Sequence, residues 1–158
     1  MKHEHVQIAV IDANPLGSEK VPAQALGEDK WQLLRSPLYA TQVAAGDIIQ
    51  VINSELGTFN VVKRGGNVCV QFYLSENESN NPETTERVKK LIEAQIIPIG
   101  GKVDATTNGL ISCTLNVAIG FPDIETIFNG LLEKYPGAEW QFTNVYDAVT
   151  GEPLGWWE

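Results

Sequence analysis

Halfway along the chain the spacing of apolar residues changes, and that change limits the folds open to it. Before residue 75 the apolar runs are short and strand-like: "VQIAVID", "KVPAQAL", "WQLLRS", "DIIQVINSE", "TFNVVKR" and "VCVQFYL". Turn-forming residues separate several of them, as in "GEDK" and in Gly65-Gly66-Asn67, which supplies the positive φ of a tight hairpin. After the polar break "SENESNNPETTE" (75–86) the spacing becomes helical. Val88, Leu91, Ile92 and Ile96 share one face. Asn81 suits an N-cap, Pro82 the first helical position, and Glu83 and Glu86 the positive end of the helix dipole.

The alternation continues to the C-terminus. "GLISCTLNVAI" reads as a strand. "PDIETIFNGLLEKYPG" reads as a helix with Asp123 as cap, a stripe of Ile124, Ile127, Phe128, Leu131, Leu132 and Tyr135, and a Pro136-Gly137 stop. "AEWQFTNVYDA" reads as a last strand. From Val68 onward the order is strand, helix, strand, strand, helix, strand, which is the split βαβ, or ferredoxin-like, pattern. The six short strands of the first half predict a small barrel, a form that removes exposed sheet edges. The expectation is an α+β protein: a β-barrel-like subdomain over 1–75 and a ferredoxin-like subdomain over 76–158, with strand 68–74 shared or adjacent between them.

Composition narrows the function classes. The formal net charge is −9, from 20 acidic and 11 basic residues. A nucleic-acid binder would carry a basic patch, so that class is set aside. Residues 81–158 hold 11 of the acids and 5 of the bases, so the second half is the more acidic. Such a field speeds encounter with a basic partner. No run is long enough to span a bilayer, and the N-terminal apolar run is too short for a secretory signal, so a cytoplasmic protein is expected. Cys69 and Cys113, both in apolar runs, read as reduced core thiols.

No cluster of residues spells out a reaction. The chain has no G-x-S-x-G, H-E-x-x-H, C-x-x-C or P-loop. Its two histidines, His3 and His5, lie at the start without a third ligand nearby, so no metal or cofactor is expected. The leading expectation is therefore a non-catalytic acidic binding protein, an immunity protein that occludes the active site of a cognate toxin, in one form a basic nuclease. Its candidate contacts are Glu125, Glu133, Glu139 and Asp147, with Trp156 and Trp157 as anchors, in a monomer or weak dimer. The alternatives are a small-molecule-binding regulatory domain, or an enzyme with Tyr39 and Asp47 lining a pocket between barrel and sheet.

The stretch "RSPLYATQVAAGDIIQV" carries a resemblance. Pro37, Leu38, Tyr39, Ala40, Ala44, Gly46 and Asp47 are similar to a segment of the bacterial family known as domain of unknown function 4265. Relatives often carry a Trp near the position of Ala25 and "SGH" where this chain has Arg64-Gly65-Gly66-Asn67. The resemblance implies a bacterial, cytosolic protein and brings no catalytic residues with it. In a barrel, Leu38 and Tyr39 would plug one end and Gly46-Asp47 would turn the chain into the next strand.

Overall fold

The structure is a computed structural model, and it describes residues 4–10 and 17–158. Among these, nine strands form two antiparallel sheets. The first is a meander of β1 (Glu4–Val10), β2 (Gly17–Gly27), β3 (Lys30–Leu33), β4 (Ile48–Asn53) and β5 (Thr58–Lys63), in that order. The second contains β6 (Asn67–Tyr73), β7 (Lys102–Thr107), β8 (Leu110–Asn116) and β9 (Glu139–Phe142), in the order β7-β8-β6-β9. A one-turn helix α1 (Glu76–Ser79), then α2 (Pro82–Ile96) and α3 (Phe121–Lys134), make the connections. With β8 between β6 and β7, the second sheet has the strand order of a split βαβ unit.

The barrel expectation is corrected. The first sheet curls but does not close: β1 and β5 form no ladder, and the edges meet where the Ala9 N–H donates to Gly57 O at 2.9 Å. The concave side is filled from elsewhere. Ala40 and Val43, on the long link between β3 and β4, pack among Val6, Ile8, Val21, Ala23, Leu33 and Ile49. An apolar face already covered by a loop has no need of closure to escape water. Tyr39 is not the plug, since its side of the link faces solvent and the residue is 51% exposed.

The Gly65-Gly66-Asn67 step is likewise not a hairpin. β5 and β6 lie in different sheets, and β6 pairs with β8 and β9. The glycines mark a crossing point where Gly65 lies against the backbone of Gly46.

The helices form for the reasons their ends suggest. Asn81 caps α2, its Oδ1 accepting from Glu83 N at 3.0 Å, and Pro82 opens it. α3 starts three residues earlier than its Asp123 implies: Gly120 is the cap and Asp123 sits in the first turn. Val88, Ile92 and Ile96 of α2, with Ile124, Phe128 and Leu131 of α3, cover Val68, Val70, Phe72, Ile111, Cys113 and Leu115 of the sheet. Each such side chain contributes about 1.5–3 kcal/mol when fully buried.

Candidate functional site

The other face of the second sheet is polar and buried, because the 34–47 link lies across it. Ser112 Oγ donates to Pro37 O at 2.8 Å, and Gln71 Nε2 donates to Leu38 O at 2.7 Å. Ala45 N–H donates to Ser36 Oγ at 3.0 Å, and Ser36 is bonded to the Thr114 hydroxyl, which is bonded to Asp104. A carboxylate can only accept. The protons therefore run one way, from Ser36 to Thr114 to Asp104. Beside this chain lies Cys69, fully buried, its thiol pushed up to about 11 by desolvation and thus held as an inert thiol.

Glu19 fixes the start of the link. Its carboxylate accepts from the N–H groups of Leu38 (2.7 Å), Tyr39 (2.8 Å) and Ala40 (3.0 Å). Asp47 fixes the end. It is completely buried and accepts from Gly65 N (2.8 Å), Ala44 N (3.0 Å) and Arg64 Nη1 (3.3 Å). Burial pushes the Asp47 carboxyl above its ordinary value, against those same N–H groups and the Arg64 charge. Arg64 also donates to Gln42 O at 2.8 Å and stands 5.6 Å over the ring of Trp156. Tyr39 and Asp47 thus do not assemble a pocket: one is in solvent and the other is spent on holding the link.

Asp104 gives a pH signature. Burial raises its carboxyl above the ordinary 3.8, while the Thr114 hydroxyl and the Lys102 ammonium, 3.4 Å from Oδ1, favour the charged form. The folded state therefore holds this proton more tightly than the unfolded state does. The associated stability is fully present below the unfolded value and is lost as pH rises through the folded value. Asp104→Asn keeps an oxygen for Thr114. It should gain in stability relative to the parent as pH is raised from about 3 to about 7, read from urea midpoints. A constant or shrinking difference contradicts this assignment.

An open concavity lies elsewhere, along β9. It is a cleft of about 520 Å³ between α3, the outer edge of β9, the tip of the 34–47 link and the turn after Val145. Glu125 and Asn129 approach from α3, Trp140 to Thr143 from β9, Thr41 and Gln42 from the link, and Tyr146, Asp147 and Ala148 from the turn. Among the described residues no basic side chain lines it. Asp147 accepts from the N–H groups of Val149 (2.8 Å) and Thr150 (2.9 Å), which hold its carboxyl below the ordinary range. The Trp140 indole N–H donates to Asn129 Oδ1 at 2.9 Å and fixes the ring against α3.

Of the sequence candidates, Glu125 and Asp147 meet in this cleft. Glu139 is exposed on β9 and lines a smaller groove with Tyr73, Trp140 and Gln141. Glu133, two turns along α3 from Glu125, is exposed and does not line the cleft. Trp156 and Trp157 are half-buried rather than free anchors. The Trp156 indole donates to Asn144 O at 2.9 Å, and the Trp157 ring stands edge-on to Phe121 at 5.2 Å. His3 lies outside the described residues, and His5 is exposed on β1. Among the described residues no group of three or more His, Cys, Asp and Glu is placed to hold a metal, and no helix is long and apolar enough to cross a membrane.

Sequence reasoning missed Glu19, Arg64, Asp104, Gln42 and Tyr146. None belongs to a local pattern, because each acts on residues distant in the chain.

A crystal structure of a hypothetical protein from Neisseria gonorrhoeae is similar over 90% of this chain and 95% of its own, with a TM-score of 0.67 and 16% identity, a likeness of fold. No curated protein matches the chain. The family model described as Domain of unknown function (DUF4265) matches residues 19–138, which include the whole 34–47 link and both of its carboxylate latches. The chain belongs to that family.

Proposed function

We propose that the protein is a non-catalytic binding protein whose partner is a basic polypeptide, and that it acts as an immunity protein, occupying the working face of a cognate toxin. The observation that carries the reading is the β9 cleft, which Glu125 and Asp147 line together with Trp140 and Tyr146 and, among the described residues, no basic side chain. An arginine or lysine entering it meets carboxylates and aromatic faces together. The surplus of negative charge, −9 overall, adds long-range attraction to a basic surface. These charges lie at the rim, so they govern speed and selectivity of encounter more than affinity.

The enzyme reading has less support. The pair on which the pocket depended, Tyr39 and Asp47, is divided between solvent and core. The test is co-expression with the product of the adjacent gene. The expected result is a product that is toxic alone, harmless with this protein, and recovered with it as a stoichiometric complex. A harmless product, or one that never co-purifies, overturns the proposal.

A further inference from the structure

We infer that the outer edge of β9 takes an extended, arginine-bearing segment of the partner as an added strand of the second sheet. The inference rests on the basic-partner reading and specifies how the partner is held.

The register sets which backbone groups are free. Gln71 pairs with Gln141 and Tyr73 with Glu139, and Thr143 N–H donates to Cys69 O at 2.9 Å. In an antiparallel pair, bonded and non-bonded positions alternate. Residues 139 and 141 and the Thr143 N–H therefore turn toward β6, and Trp140 and Phe142 turn their N–H and C=O groups outward. The far side of β6 agrees. Val117 N–H donates to Gly66 O at 2.9 Å, which directs residues 68, 70 and 72 to β8 and leaves 69, 71 and 73 for β9. Among the described residues nothing bonds to the outward groups of Trp140 and Phe142. The link closes the edge only at its end, where Gln42 N and Nε2 donate to Thr143 O at 2.9 and 3.3 Å.

These free groups border the acidic cleft, which decides the occupant. A strand laid along Trp140–Phe142 bonds through its main chain, and its side chains pass Glu125 and Asp147. Arginine fits both the carboxylates and the ring of Trp140. A second copy of this chain is a poorer occupant, because pairing edge to edge brings Glu125, Glu139 and Asp147 of both copies together.

The test uses the full chain and the peptide acetyl-Thr-Arg-Val-Arg-Thr-amide. Two versions carry backbone N-methyl groups, one at the Arg positions and one at the positions between. The expected result is that one version loses affinity by about tenfold or more while the other retains it, since only alternate amides face β9. Hydrogen exchange at the Trp140 and Phe142 amides should slow in the complex. Equal losses in both versions, loss in neither, no binding of the parent peptide, or sedimentation showing a self-dimer through this edge would each overturn the inference. The two proposals separate cleanly. A toxin complex in which those two amides exchange as in the free protein sinks the added strand and leaves the partner reading standing. Failure to form any such complex sinks the partner reading itself.

Discussion

Asp47→Ala should cost about 3–5 kcal/mol of folding stability, because it strands a largely buried guanidinium and two N–H groups at once. The carboxylate is fully buried and is the acceptor for Gly65 N, Ala44 N and Arg64. Removing one member of such a set is worse than never having built it, since the buried Ala44 N–H and the mostly covered Arg64 guanidinium are left without this acceptor. Against a total of about 5–15 kcal/mol for a domain, the loss puts much of the population at risk of unfolding near body temperature. Asp47→Asn, which keeps one oxygen and the shape, should lose clearly less. Urea unfolding at matched slope measures both. A loss under about 1 kcal/mol for Asp47→Ala would show that Asp47 does not clamp the link.

Gly65→Ala should cost about 3 kcal/mol, and here the cause is steric. A methyl group on Gly65 would sit 2.5 Å from the Gly46 carbonyl carbon and 2.7 Å from its oxygen. Both contacts are with backbone, so no side chain can rotate away. Gly46 has its own constraint, a φ of +89°. Overpacking in a tight core costs about 1–3 kcal/mol, and a clash between two main chains belongs at the upper end. Gly66→Ala is a useful contrast: it has open space around it but a φ of +84°, so its smaller cost of about 1 kcal/mol would report conformation alone. If Gly65→Ala proves the milder of the two, the crossing of the sheets is looser than described.

Both substitutions act on the same small region, and it is the region that joins the two sheets. It shows where the sequence could be read and where it could not. The strands were legible because apolar alternation and turn residues are local properties. So was α2, from Asn81, Pro82 and the Val88–Ile92–Ile96 stripe. The covering of the first sheet's concave face was not, because it depends on Ala40 and Val43 returning from another part of the chain. Gly65-Gly66 carried a correct signal for a tight backbone and no signal for which sheet came next. Asp47 stood out with Gly46 in the family segment, yet its use depends on Arg64 and Gly65, whose approach nothing local announces. Tyr39 misled for a related reason. An aromatic residue among small apolar ones suggests a plug, but Glu19 takes hold of the link at residues 38–40 and the ring is left in solvent.

The cleft was half legible. Glu125 and Asp147 stand out in the sequence as acids of the more acidic half. The run holding Trp140 is legible as a strand, and the Trp140 ring lies 5.5 Å from Phe128. That its backbone also forms an open sheet edge follows only from strand order. The terminal Trp pair illustrates the opposite error: adjacent tryptophans suggest exposed anchors, whereas Trp156 is engaged by Arg64 and Asn144 and helps tie the C-terminus to the sheet junction.

The central claim is that the acidic β9 cleft recognises a basic protein partner. Its most direct test is the affinity of the co-purified complex for the parent and for Glu125→Lys, a substitution at an exposed position on α3, measured by calorimetry at low and high salt. The account predicts weakening of about tenfold or more at about 50 mM salt, shrinking as salt screens the charges. An affinity unchanged by the reversal at both salt concentrations would contradict it.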